Sequence, residues 1–244
     1  MMKLIRLAIY VSFVNFLFIN PILAAEVVAT PTKYEVTMKK VELCTSSACT
    51  TTTLLAEKDG TFDIASASAG ADVGDWITGY ALEVGTNYTH IKATISSTFT
   101  IRGYIEDDGS NGLTADSNCV TAASPLTDSS GTSPAIVAET SATTNADMSY
   151  EVPNYLDADN GSFYGTTTKT TFDANGLTKV NDAATFTWIA ALSSSYTPTA
   201  SSAPKITISF DVTNQLGAAG VNVSGNWQCA IYVKPPTVGV SLTD

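Results

Sequence analysis

Alternation constrains this chain more than any other feature. In "PKITISFDV" the apolar residues Ile206, Ile208, Phe210 and Val212 hold every second position, with Thr207, Ser209 and Asp211 between them. The same period returns in "THIKATIS" (Ile91, Ala93, Ile95), "TFTIRGYIE" (Phe99, Ile101, Ile105) and "MSYEV" (Met148, Tyr150, Val152). It returns again in "TFDIAS" (Phe62, Ile64), "ATFTWIAAL" (Phe186, Trp188, Ala190) and "NWQCAIYV" (Trp227, Cys229, Ile231, Val233). Successive side chains of a strand point to opposite faces, so a period of two rich in β-branched and aromatic residues marks half-buried strands.

One run breaks its own rule. "KYEVTMKKVELC" alternates through Tyr34, Val36 and Met38, then slips at Lys39–Lys40 to Val41 and Leu43. A slip of one residue moves the apolar set to the other face unless an extra residue is absorbed, so a β-bulge is expected there. Helical signals are weak. No window of about twelve residues beyond the N-terminus keeps a 3.6-residue period. "SAGADVGDWITGYALEV" holds at most a turn or two around Val73 to Trp76 before its glycines intervene. About eight to ten strands with little helix predict an all-β fold, an antiparallel β-sandwich of immunoglobulin- or prealbumin-like type.

The first residues address the chain to a compartment. Lys3 and Arg6 precede the apolar "LAIYVSFVNFLF", Asn20 and Pro21 break it, and "ILAA" supplies small residues for cleavage near Ala24 or Ala25. This is the layout of a signal peptide over residues 1–24. A membrane span needs about 20 predominantly apolar residues, and Asn15, Asn20 and Pro21 interrupt this stretch. The expected mature chain, residues 25–244, is a single domain. A long polar insertion lies at about 106–147, which either contains short edge strands such as "AIVAE" (135 to 139) or marks a boundary between halves; a Cys119–Cys229 pair would bind the halves together and favours one domain. The expected location is secreted, periplasmic or cell-surface, with no membrane span after cleavage.

Charge narrows the partners. The chain carries 12 Lys+Arg against 23 Asp+Glu, a net charge of −11. A nucleic-acid binder needs a basic surface to neutralise phosphates, so nucleic acid is excluded, and anionic membranes are disfavoured on the same ground. Protein partners, copies of the chain itself and cations remain.

Four cysteines in an exported chain imply disulfides, and four allow three connectivities that sequence does not choose among. Cys44 with Cys49 and Cys119 with Cys229 is the simplest. A zinc site would need more close thiolate pairs or imidazoles, and His90 is the single histidine. His90 sits within a strand with no Gly-x-Ser-x-Gly elbow anywhere, so no hydrolytic triad assembles. No phosphate loop or HExxH appears. The chain is therefore expected not to be an enzyme.

Calcium is the one cofactor for which the sequence offers ligands. "EDDGSNGLTAD" presents Asp107, Asp108 and Asn111, and "LDADNGS" presents Asp157 and Asp159, oxygen-bearing residues on turning backbone. Neither stretch completes an EF-hand, and the same residues are the ordinary vocabulary of turns.

"YEVTMKKVELC", "GTFDIASASAG" and "LEVGTNYTHIKATIS", within residues 34 to 102, resemble a family of exported bacterial domains of unknown function. The resemblance implies a prealbumin-like β-sandwich and an envelope location. It brings no catalytic residues, and Cys44, Cys49 and the C-terminal half have no counterpart in it.

Together these features predict a structural or interaction protein of the cell envelope or surface. One form is a pilus-like filament subunit whose N-terminal segment, "AEVVATPTKYEV", is donated to the sheet edge of a neighbouring copy. The plainer alternative for that segment is an arm lying on its own sheet. The second expectation is a module binding carbohydrate or another ligand, calcium-dependent in one version, with Trp76, Tyr80, Tyr104 or Tyr164 as a stacking platform.

Overall fold

A computed structural model describes residues 27–66, 77, 80–106, 117–125, 135–153, 168–202, 204–223 and 226–244. The residues expected to form a signal peptide and the expected mature start at Ala25 lie outside them, as do Val73 to Trp76 and Tyr164.

The larger layer is a seven-stranded antiparallel sheet built on β2 (Lys33–Cys44). β3 (Thr52–Asp63) pairs along one side of it. Along the other side run β4 (Tyr88–Ser96) and β5 (Thr98–Arg102), which follow one another as a single strand interrupted at Ser97. Beyond them, β10 (Met148–Glu151) pairs with β5, and β12 (Thr185–Tyr196) pairs with β4. β11 (Leu177–Lys179) adds to β12. Ser97 is buried. Its N–H donates to the Ala184 carbonyl at 2.9 Å, and its carbonyl accepts from the Val152 N–H at 2.8 Å. The interruption thus keeps its backbone bonds, as a buried chain must.

The facing layer is a long hairpin broken in the middle. β13 (Lys205–Asp211) pairs with β16 (Thr237–Thr243), and β14 (Leu216–Val223) with β15 (Asn226–Val233). Residues 212–215 and 234–236 interrupt the two arms at the same level. Pro235 and Pro236 have no N–H to give a ladder, while Asn214 takes a left-handed φ of 56°. One bond crosses the break, from the Lys234 N–H to the Gln215 carbonyl at 2.8 Å. The β14–β15 half widens to four strands with β1 (Val27–Ala29) and β8 (Ala135–Val137) at its edges. A small sheet of β6 (Tyr104–Glu106), β7 (Asn118–Val120) and β9 (Glu139–Thr140) stands beside it. The region expected as a polar insertion thus supplies β7, β8 and β9, and "AIVAE" divides between the last two.

The apolar faces make two cores. One gathers Tyr34, Phe99, Ile101, Met148 and Phe186 against Leu216, Ala218 and Ile231 of the four-stranded sheet. The other gathers Leu43, Ile91, Trp188 and Leu192 against Ile206, Ile208, Val240 and Leu242 of β13 and β16. The expected bulge is present: both partners of β2 shift register between Met38 and Lys40. It lets Met38 and Val41, three apart, face the same side. It also divides the strand, since Tyr34 and Val36 serve the first core while Met38, Val41 and Leu43 serve the second.

Both cysteine pairs form. Cys44 and Cys49 (Cα–Cα 5.0 Å) close the turn after β2, and Cys119 and Cys229 (Cα–Cα 5.6 Å) tie β7 to β15. No described cysteine is free. Two disulfides suit an oxidising setting outside the cytoplasm. Among the described residues no helix is long and apolar enough to cross a membrane.

Candidate ligand-binding site

Met38 at the bulge of β2, Gln215 of the 212–215 turn and the Pro235–Pro236 step all border one space between the layers. A strand that bends at such a point leaves its neighbours unmatched, and packed layers close only where ridges interlock. A cavity of about 760 Å³ lies between the two cores. Ile95, Leu177 and Phe210 line it, and each packs against both cores.

Its walls are aromatic and aliphatic. Tyr34 and Met38 come from β2, Phe99 from β5, Tyr150 from β10, and Phe186, Trp188 and Ala190 from β12. The ring pairs are tilted or edge-on: Tyr34 with Phe99 at 5.5 Å, and Phe99 with Phe186 at 5.9 Å. Such geometries place ring edges on ring faces. The facing layer contributes Phe210, Gln215 and the run Val233 to Val238.

The short helix α1 (Thr168–Ala174) forms one wall through Phe172 and Ala174. At seven residues it is shorter than a periodicity window, which is why alternation and period gave no sign of it. It ends in a glycine cap. Gly176 has a φ of +69°, and its N–H donates to the Asp173 carbonyl at 3.2 Å. A Cβ at Gly176 would stand 2.2 Å from the Ile189 carbonyl oxygen, so only glycine lets the helix end close on β12.

Polar groups are few. Tyr34 is buried, and burial pushes its phenol well above the ordinary range. Its hydroxyl donates to the Lys234 carbonyl at 3.4 Å. Asn175, Gln215, Lys234 and Thr237 complete the polar wall. Beside the cavity, Lys179 is buried on β11 and donates from Nζ to the carbonyl of Val152, a lining residue, at 2.5 Å. Glu151 Oε1 lies 3.8 Å from the same amine. Burial holds the lysine below its ordinary pKa, the nearby Glu151 carboxylate opposing the effect.

The described residues singled out from sequence lie elsewhere. His90 sits half-buried on β4 opposite Cys44, with Thr89 Oγ1 2.8 Å from its Nδ1. Tyr80 is turned inward, its hydroxyl donating to the Pro204 carbonyl and its ring packed against the second core. Tyr104 sits on β6 in the three-stranded sheet, whereas Tyr80 belongs to no strand. Trp76 lies outside the described residues, and so do the calcium candidates Asp107, Asp108, Asn111, Asp157 and Asp159. Among the described residues no cluster of three His, Cys, Asp or Glu side chains is placed to hold a metal ion. No protein-family model, curated protein or solved structure matches the chain.

Proposed function

We propose that this protein is an exported binding module that holds a small, largely apolar molecule in the seam between its two cores. The single supporting observation is the cavity of about 760 Å³ walled by Phe99, Phe172, Phe186, Trp188 and Phe210. Small-molecule sites run from about 300 to 1,000 Å³ and are lined mostly by apolar and aromatic side chains with a few polar groups. An exported, acidic, disulfide-bonded chain fits a carrier or receptor working outside the cytoplasm. The test is a titration with Nile red, a neutral dye that brightens in apolar surroundings. Saturable binding at one site per chain is expected, and Ala190→Phe, which fills the cavity from β12, is expected to abolish it with both disulfides intact. Equal binding by the filled variant would refute the proposal.

A second reading, self-assembly, draws support from β1. This strand is three residues long, half-buried, and paired to the edge of β14 through Val27–Ala218, Val28–Gly217 and Ala29–Leu216. So short a strand buries little, and the same strand of another copy would make the same ladder. Light scattering of the mature protein with and without residues 25–33 decides it. Oligomers that collapse on truncation favour exchange, and a monomer in both forms removes it.

A further inference from the structure

We infer that the molecule held in the seam is a flat aromatic compound, gripped edge to face by the rings around it. This rests on the cavity-binding reading and names its ligand class. Seven of the 26 described lining residues carry aromatic rings, against 9% of the chain. They come from β2, β5, β10, β12, β13 and α1, so both layers and the helix contribute. Away from the cavity the second core is mostly aliphatic, built on Leu43, Leu55, Ile91, Ile206 and Val240. The rings thus gather where the space is.

Three of the rings are fixed against one another. Tyr34 tilts on Phe99 at 56°, Phe99 meets Phe186 at 74°, and all three are buried. An aromatic ring is negative on its faces and positive at its edge, so an edge-on set extends the same contact to one more ring. An alkyl chain gains dispersion against this wall but none of that directional attraction. Shape acts in the same sense. Packed sheets stand about 10 Å apart, so a space between two layers is broad along them and shallow across them. A flat ring system fits such a slot, whereas a puckered saturated one is thicker. Rings already held by their neighbours also lose little freedom when a ligand arrives.

The experiment is displacement of Nile red by 2-naphthalenemethanol, its decahydro analogue and 1-undecanol. These share a carbon count and one hydroxyl, and differ in the body being aromatic, saturated and ringed, or a chain. Each potency is scaled by the compound's partition from water into cyclohexane. The naphthalene compound is expected to displace the dye at scaled concentrations about tenfold lower than the other two, the factor two aromatic pairs supply. Phe186→Leu keeps an apolar wall and should narrow that ratio to about threefold with the dye still bound, and Phe99→Leu is the parallel variant. Phe62→Leu, on β3 and not among the described lining residues, should leave the ratio intact. Equal scaled displacement by the three alcohols in the unaltered protein overturns the aromatic assignment and leaves cavity binding standing. A ratio unchanged in both lining variants, or narrowed as much by Phe62→Leu, also overturns it, because the rings around the seam would then not be its source. Failure of Nile red to bind at all removes the cavity reading and this inference with it.

Discussion

The Tyr34 hydroxyl donates to the Lys234 carbonyl at 3.4 Å, linking residues 200 apart in sequence across the seam. The ring also packs on Phe99. Two contributions can be separated. Tyr34→Phe keeps the ring and loses one long hydrogen bond, so urea denaturation should show a loss of about 1 kcal/mol or less. Tyr34→Ala empties a buried aromatic site and should cost about 3–5 kcal/mol. Equal losses in the two variants would mean that the hydrogen bond, not the ring, dominates.

The two disulfides should differ in worth. Cys119 and Cys229 are 110 residues apart and Cys44 and Cys49 only 5. Chain-entropy reasoning gives about 5 kcal/mol for the long closure and about 2 kcal/mol for the short one. Paired Cys→Ala variants, unfolded in guanidinium, should follow that order. A larger loss from the short pair would show that the turn carries more than loop closure. Cys49 adds a local reason for its bridge: it holds a left-handed φ of 46° that a non-glycine residue adopts only when constrained.

Asp147 joins Lys33, at 3.0 Å, to Arg102 at the open end of the large sheet. The lysine contact, then the arginine, holds its carboxyl below the ordinary value of 3.8, with desolvation opposing. A depressed carboxyl contributes stability that is present above its unfolded pKa and lost as pH falls through its folded pKa. Melting temperature should therefore drop on acidification below about pH 4, and Asp147→Asn should lower it at pH 7 while flattening that acid limb. An unchanged acid limb would exclude Asp147 from the transition.

Lys179 acts with the opposite sense. Burial lowers its pKa from 10.5, so the unfolded chain binds the proton more tightly than the folded one. This group makes stability rise as pH climbs from the folded pKa toward 10.5. Lys179→Met removes a buried charge, and at pH 7 it should leave the melting temperature unchanged or raised, with a weaker alkaline rise. A marked fall would show that the bond to the Val152 carbonyl outweighs the cost of burying the amine.

Strand positions were legible because each is local. Ile206, Ile208 and Phe210 declare their spacing within five residues, and the Lys39–Lys40 slip announced a bulge that the register of β2 carries. The cavity was not legible. Tyr34, Phe99, Phe186 and Phe210 each look like an ordinary core residue, and only tertiary assembly brings them around one space. A signal existed in the last two long runs, where "VTNQ" and "KPP" interrupt alternation at positions that meet when the hairpin folds. Reading them together needs the pairing register, which no single strand holds. Helix α1 escaped for a simpler reason, its seven residues giving too few turns for a period.

On this reading the seam, and not another part of the core, accepts the ligand. Methyl-resolved NMR during a 2-naphthalenemethanol titration tests it most directly. Saturable shifts are expected of the Ile95, Leu177 and Val238 methyls, whose residues line the cavity, with Leu43, Leu55 and Ile91 of the second core unmoved. Shifts that never saturate, or that fall on Leu43, Leu55 and Ile91 while the lining methyls stay still, would contradict it.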